Sequence, residues 1–271
     1  MSNVDGDTPE LALYYDRVSD AQFRRGVALI DLMKIGSCDA VLDIGCGTGR
    51  LALHVADIMG PSGSVTGVDP SPHRVQVAND KLAGLQADNV HFQIGEGENL
   101  GIFSDNSFDD AYYCAVFHWI QDKKAALREA YRVLKPGGKV GITSRSEGNS
   151  LSVRAVIKNV LARHPEIDRT KRTRTGSMWA SKEELEALLS ETGFVNIEMN
   201  TMTTKGYFQS PKEYFGFLKA SSFGQPSRVP EYLRDEVRQA MVEELEKRRT
   251  PLGIEIETHP LLVVATKPPR R

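Results

Sequence analysis

Three glycines and an aspartate around residue 45 form the pattern with the clearest chemical meaning in this chain. The sequence reads V-L-D-I-G-C-G-T-G over residues 41–49, so an apolar run leads into Gly45, Gly47 and Gly49. Glycines allow a ligand to lie directly against the main chain at the end of a strand. Amides at the start of the following helix can face the carboxylate of that ligand. Asp43 places a negative charge beside the loop, which repels a phosphate and suits an ammonium group.

A second carboxylate, Asp69, stands at the end of the next predicted strand, twenty residues after Gly49. A carboxylate at this position can accept hydrogen bonds from both ribose hydroxyls of a nucleoside. Dinucleotide-binding loops usually read G-x-G-x-x-G, whereas this loop reads G-x-G-x-G with an aspartate before it. The combination favours S-adenosylmethionine as the ligand. The alternatives are a structural turn with an unrelated carboxylate and, more remotely, a nicotinamide-linked oxidoreductase.

Strands and helices alternate around these residues. Strands are predicted at 40–44, 64–69, 90–94, 108–114 and 139–144, and helices at 48–59, 72–85 and 122–134. This alternation predicts a parallel sheet with helices on both faces, whose ligands bind beyond the carboxyl ends of the strands. The second half is predicted to contain helices at 151–164, 181–191, 211–220 and 230–248 and strands at 195–200 and 261–266. Ser181 and Glu184 have the spacing of a capping box.

Composition limits the choice of partner. The net charge is −2, from 34 basic and 36 acidic side chains among 271 residues, so there is no general basic field for nucleic acid. The longest apolar run, about 112–120, is too short to span a bilayer, and the polar first ten residues do not resemble a secretory signal. The three cysteines lack metal-site spacing, so we expect no metal and a reducing, cytoplasmic setting. The expected partner is a small molecule, with monomer and homodimer both open.

Four motifs in a fixed order extend the argument beyond the glycine loop. They are VLDIGCGTG, VTGVDPS around Asp69, GEGENL at 95–100 before DNSFD at 105–109, and LKPGGKV at 134–140. With these motifs the chain closely resembles the class I S-adenosylmethionine-dependent methyltransferases. The resemblance covers residues 14–145, with a looser match through 178–200 and the last strand.

The resemblance implies an α/β fold with a Rossmann-like, seven-stranded, mostly parallel sheet. Helices would cover both faces, and residues 195–203 and 254–266 would form an antiparallel last hairpin. A single domain, 1–271, would then consist of three parts. These are an N-terminal cover (1–35), a core (36–145 with 181–203 and 254–267) and helical lid segments (146–180 and 204–253).

The same resemblance assigns cofactor-binding roles. Asp43 and the glycine loop would hold the methionine portion, and Asp69 the ribose. Glu96 stands where the family usually has an aspartate that meets the adenine amine, and Gly97 would offer its amide to the ring. The full expected set is Tyr15, Asp43, Gly45, Cys46, Gly47, Gly49, Asp69, Pro70, Glu96, Gly97 and Ala115.

Candidate acceptor residues follow the fourth strand, where the chain reads C-A-V-F-H-W-I over 114–120. His118 is a candidate base, and Trp119 is either an acceptor contact or a packed core residue. The segment 14–30 is similar to that of trans-aconitate and juvenile hormone acid methyltransferases. That resemblance implies that Gln22 and Trp119 grip a substrate carboxylate, although Gln22 is equally well read as a surface residue. Amide and indole N–H groups orient a carboxylate without the charge of a cationic partner.

These observations predict methyl transfer to a small anionic or aromatic acceptor. Aromatic residues between 207 and 232 indicate an apolar pocket or the core of the lid itself. The basic stretch 163–174 is either an attraction for an anion or a solvated loop. Carboxylate O-methylation, which needs no general base, is the first expectation. The alternatives are O-, N-, S- or C-methylation of a secondary metabolite with His118 as base, and a protein that binds the cofactor without catalysis.

Overall fold

The protein is described by a computed structural model over residues 4–85, 87–145, 153–164, 179–224 and 229–270. The strands are β1 (Ala40–Ile44), β2 (Ser64–Asp69), β3 (Val90–Ile94), β4 (Phe108–Tyr113), β5 (Leu134–Arg145), β6 (Val195–Thr201), β7 (Thr204–Phe208), β8 (Arg249–Thr250), β9 (Gly253–Thr258) and β10 (Pro260–Thr266). The helices are α1 (Pro9–Val18), α2 (Asp20–Met33), α3 (Arg50–Met59), α4 (Pro72–Ala83), α5 (Lys123–Val133), α6 (Val153–Ala162), α7 (Lys182–Thr192), α8 (Pro211–Ser221) and α9 (Arg234–Glu246).

The main sheet has seven strands in the order β3-β2-β1-β4-β5-β10-β6. Strands β1 to β5 pair in parallel, and β10 lies antiparallel between β5 and β6. Apolar residues alternate between its two faces and form two buried clusters. Helices α5 and α7 cover one face, and α2, α3 and α4 cover the other. The predicted Rossmann-like sheet with its antiparallel last pair is therefore confirmed.

Local capping signals explain several element boundaries. The Asp122 side chain accepts a hydrogen bond from the amide of Ala125 at the start of α5. Ser181 and Glu184 form the predicted capping box at the start of α7. Such caps satisfy amides that have no partner inside the helix.

The region predicted as the second helical lid segment (204–253) differs from that prediction, because it contributes strands to a second sheet. Strands β7, β9 and β8 pair antiparallel in that order and pack with α6, α8 and α9 around a third apolar cluster. The predicted long strand of the last hairpin is divided at His259 into β9 and β10. The predicted helix at 230–248 is also divided, because a 3₁₀ turn over Glu231–Leu233 precedes α9. The basic stretch from 165 to 174 lies outside the described residues.

Membrane insertion has no support among the described helices, since none of them has both the length and the apolar character for a transmembrane span.

Arg74 on α4 fastens the N-terminal segment and the lid to the core. Its Nε donates to the Asp7 carboxylate at 3.0 Å and its Nη2 to the main-chain oxygen of Ala220 at 2.7 Å. The guanidinium lies over the rings of Tyr15 and Phe223, at 4.4 and 3.9 Å from their centroids. Arg74 and Asp7 are only 4% and 6% exposed. Water therefore solvates these two charges little, and the ion pair is stabilised by the direct contacts of its side chains.

Removing this arginine should destabilise the protein strongly. Arg74→Met leaves the Asp7 carboxylate buried without its cation, which costs about 3–5 kcal/mol in the free energy of unfolding. Urea unfolding of the variant measures this cost. Arg128→Met, at an exposed position of α5, is the control and should change stability by less than about 0.5 kcal/mol. Equal effects of the two substitutions would contradict the fastening role of Arg74.

Candidate active site

The glycine loop between β1 and α3 leaves space for a ligand on one side only. Gly45, Gly47 and Gly49 all have positive φ, at 80°, 54° and 78°. A Cβ on Gly45 would lie 2.3 Å from Val116, and one on Gly49 would lie 2.7 Å from Phe92. A Cβ on Gly47 would meet nothing nearer than 3.9 Å. The first and third glycines therefore permit close packing, and the second exposes main chain to the open side.

The carboxylate of Asp69, at the end of β2, links the glycine loop to the start of α4. One oxygen accepts the amide N–H of Gly47 at 3.0 Å and the other accepts that of Ser71 at 2.9 Å. The residue is 2% exposed. Each carboxylate oxygen has a further lone pair, so the same group can accept two hydroxyl groups of a nucleoside.

Asp43 at the end of β1 lies in an environment that disfavours its negative charge. It is 2% exposed, and burial together with the nearby Asp69 carboxylate raises its pKa to about 8. The Tyr112 hydroxyl donates to Asp43 at 3.0 Å and opposes this shift. A positively charged ligand group beside Asp43 would restore its ionised form.

A cavity of about 490 Å³ brings most of the predicted residues together. The predicted residues on its wall are Tyr15, Gln22, Asp43, Gly45, Cys46, Gly47, Asp69, Pro70, Gly97, Ala115, His118 and Trp119. Two predicted residues lie outside the wall. Gly49 packs toward Phe92 below the loop, and Glu96 forms an isolated β-bridge with Asn99.

The loop after β4 directs its side chains into this cavity through an unusual backbone conformation. Ala115 has a φ of 57°, a region that non-glycine residues seldom occupy. Its amide donates to the Thr143 hydroxyl at 2.7 Å, which stabilises that conformation. The amide of Trp119 then donates to the carbonyl of Val116 at 2.7 Å, so the chain turns back at the edge of the sheet.

Aromatic side chains from four segments of the chain form one side of the cavity, which we call the aromatic wall. It consists of His118, Trp119, Trp179, Phe208, Tyr214, Phe217 and Phe223. The His118 ring stacks on Trp179, with centroids 3.8 Å apart and planes within 10°. Trp119 meets Phe223 edge-on at 5.6 Å. The wall can exclude water and offers flat surfaces to a planar molecule.

Sequence reasoning did not identify Trp179, Arg25 or Arg74 as site residues, although all three line the cavity. Trp179 could have been predicted as a site residue from its position two residues before Ser181, the N-cap of α7. At that position the chain returns to the sheet. The two arginines carry no comparable signal, since their positions depend on tertiary packing.

The chain resembles known methyltransferases in both sequence and structure. Residues 42–142 match the family described as methyltransferase domain. A demethylmenaquinone methyltransferase from Geobacillus sp. (strain WCH70) is 28% identical over 206 residues, which are 70% of this chain and 87% of that protein.

Two solved structures have the same fold at low sequence identity. The YcgJ protein from Bacillus subtilis aligns with a TM-score of 0.63 and 19% identity, over 90% of this chain and 98% of its own. Phosphoethanolamine N-methyltransferase 2 from Haemonchus contortus, in complex with phosphomonomethylethanolamine and S-adenosylhomocysteine, aligns with a TM-score of 0.58 and 20% identity. That alignment covers 90% of this chain and 53% of the other.

Together, the fold, the glycine loop and these comparisons support an enzyme that transfers methyl groups from S-adenosylmethionine. Its cofactor is S-adenosylmethionine. The residues of the cavity fit this cofactor. The main chain at Gly47 is accessible from the cavity, and two buried acidic residues, Asp43 and Asp69, flank the glycine loop.

Cofactor affinity should depend on pH through Asp43. Below pH 8 the carboxyl is largely protonated in the free protein, whereas a bound ammonium group favours its ionised form. Binding of S-adenosylhomocysteine should therefore release a proton. Its affinity should fall as the pH drops below about 8, by up to tenfold per unit. Isothermal titration in buffers of different ionisation enthalpy measures the released proton.

The variant Tyr112→Phe provides a second test of the role of Asp43. The variant removes the hydrogen bond that lowers the pKa of Asp43, so the midpoint of the pH profile should move upward. A binding enthalpy that is independent of the buffer, with a flat profile between pH 6 and pH 9, would show that Asp43 does not change protonation on binding.

Proposed function

We propose that this methyltransferase acts on a small hydroxylated aromatic acceptor and transfers the methyl group to a hydroxyl oxygen or an activated carbon of its ring. The observation that carries the proposal is the stacked pair of His118 and Trp179 in the aromatic wall. A flat acceptor ring can pack against this wall, with its hydroxyl within reach of an imidazole nitrogen. The name of the Geobacillus relative, a demethylmenaquinone methyltransferase, supports a quinol-like ring.

The proposed cofactor position follows from the loop and the two aspartates. Asp43 would hold the ammonium group, Asp69 would accept the ribose hydroxyls, and the main chain near Gly97 would bind the adenine. Tyr15 closes over Gly47 from the N-terminal segment. When bound, S-adenosylmethionine supplies a methyl group that is already activated by its positive sulfur.

His118 acts as the base in this proposal. It takes the proton of the acceptor hydroxyl on a ring nitrogen, which leaves a phenolate with enough electron density to attack. Stacking on Trp179 fixes the plane of the imidazole. The aromatic wall excludes water, so that the cofactor and the acceptor are held in contact with each other.

O-methylation of a carboxylate is the second candidate, because Gln22 and Trp119 both lie on the wall of the cavity. These uncharged donors were predicted to orient a carboxylate without suppressing its reactivity. The two candidates give different products, namely a methyl ester or a methylated ring.

Product analysis with ¹³C-methyl-labelled S-adenosylmethionine separates these candidates. The protein is incubated with naphthols, reduced naphthoquinones and aromatic carboxylic acids, and carbon NMR distinguishes an ester, an aryl ether and an aryl methyl group. We expect aryl ether or aryl methyl products. An ester as the only product would favour carboxylate O-methylation and contradict the ring proposal.

The role of His118 is tested by His118→Asn on the best acceptor of that panel. Loss of the base should lower kcat by about 10²–10⁴-fold, while the affinity for S-adenosylhomocysteine stays unchanged. His91→Asn, at an exposed position on β3, is the matched control and should retain activity. Full activity of His118→Asn would remove this residue from the mechanism.

A further inference from the structure

Strand β5 contributes a serine to the wall of the cavity near its carboxyl end. Ser144 lines the cavity and is only 5% exposed. Among the described residues, no group donates a hydrogen bond to its hydroxyl or accepts one from it. The neighbouring hydroxyl of Thr143, in contrast, accepts the amide N–H of Ala115 at 2.7 Å. Buried hydroxyl groups normally have a hydrogen-bond partner, so the hydroxyl of Ser144 is available to a ligand.

The pairing of the strands shows which side of the sheet Ser144 faces. Ser144 lies opposite Leu261 of β10 in the antiparallel pair, and directly opposed residues of two strands share a face. Leu261 belongs to the apolar cluster that α5 and α7 cover, and so does Ile142, two residues before Ser144. Ser144 therefore continues this face to the carboxyl edge of the sheet.

The stacked pair of His118 and Trp179 lies on the same side of the sheet. Trp179 immediately precedes Ala180, which is a member of the same apolar cluster, and its ring stacks on His118 at 3.8 Å. Strand β4, which leads to His118, is the parallel neighbour of β5. The serine hydroxyl, the imidazole and the indole therefore border one part of the cavity.

The sheet topology separates Ser144 from the proposed position of the cofactor. The glycine loop follows β1, Asp69 ends β2 and Gly97 follows β3, and these strands lie in the order β3-β2-β1-β4-β5. Neighbouring strands are about 4.8 Å apart, so β5 lies about 10 Å from β1, with β4 between them. Ser144 is therefore placed to meet the acceptor rather than the cofactor.

We propose that the Ser144 hydroxyl forms a hydrogen bond with a second oxygen substituent of the acceptor ring, so that the substrate is a dioxygenated aromatic compound. The proposal rests on the aromatic acceptor proposed above, whose first hydroxyl is within reach of His118. A serine hydroxyl both donates and accepts, so it can bind a phenolic hydroxyl or a ring carbonyl. An analogue that lacks the second oxygen leaves the serine hydroxyl unpaired and binds less tightly.

Equilibrium binding tests this assignment without turnover. The probes are 1-naphthol and, in the absence of oxygen, 1,2-, 1,3- and 1,4-dihydroxynaphthalene, each titrated into protein saturated with S-adenosylhomocysteine. Wild-type protein should bind at least one dihydroxynaphthalene about fivefold or more tightly than 1-naphthol, equivalent to about 1 kcal/mol. Ser144→Ala should abolish this preference and leave the affinity for 1-naphthol unchanged. Ser144→Thr keeps a hydroxyl and should retain part of the preference.

The matched control is Ser221→Ala. Ser221 also lines the cavity, but its hydroxyl donates to the carbonyl of Leu218 at 3.2 Å, so this variant should keep the preference of the wild type. Titration of S-adenosylhomocysteine into Ser144→Ala examines the cofactor as the partner. Wild-type affinity is expected, and it also shows that the variant is folded. Weaker binding of S-adenosylhomocysteine would assign Ser144 to the cofactor and overturn the proposal.

Three further results would overturn it. They are equal affinities of the wild type for 1-naphthol and every dihydroxynaphthalene, an undiminished preference in Ser144→Ala, and an equal loss of affinity for all four probes in that variant. The last result would mean that Ser144 binds the same hydroxyl as His118. Failure of the wild type to bind any of the four probes would instead contradict the aromatic acceptor itself, so the two proposals fail in different ways.

Discussion

The carboxylate of Asp69 is the group on which the geometry of the site depends. It accepts one amide from the glycine loop and one from Ser71 at the start of α4, and so it holds two parallel strand ends in a fixed relation. The Ser71 hydroxyl in turn donates to Asp7 at 2.7 Å, which pairs with Arg74. A single hydrogen-bonded chain therefore links the carboxyl end of the sheet to the N-terminal segment and, through Arg74, to helix α8.

The cavity places acidic side chains at the glycine loop and aromatic side chains along another side. Two buried carboxylates, Asp43 and Asp69, flank the glycine loop, and Tyr112 and two main-chain amides keep them hydrogen-bonded. The stacked rings of His118 and Trp179 form part of the aromatic wall on another side of the cavity.

Much of the fold was predictable because local signals and the tertiary structure agree. The strands at 40–44, 64–69 and 90–94 were predicted at their observed bounds, since each is a short apolar run followed by a turn. The small lid sheet was missed, although the alternating sequence IEIET within β9 is typical of a strand. The resemblance predicts one strand over 254–266, whereas the structure divides this segment at His259 into β9 and β10.

The candidate site was predictable to the extent that its residues follow strand ends. Asp43, Asp69, Ala115 and His118 all occupy such positions and all line the cavity. Trp179 and Arg25 were not predictable in this way. Trp179 meets His118 only because the chain returns to the sheet 61 residues further along, and Arg25 reaches the cavity only through the packing of helix α2. Neither fact is encoded in local spacing.

The most direct measurement of the central claim is isothermal titration of S-adenosylhomocysteine into wild-type protein and into Asp69→Ala. The account predicts micromolar binding that the substitution weakens by about tenfold or more, or about 1.4 kcal/mol. Asp88→Ala, at an exposed position before β3, should bind as wild type does. Equal affinities of wild type and Asp69→Ala would contradict the assignment of the ribose to Asp69, and with it the proposed orientation of the cofactor in the cavity.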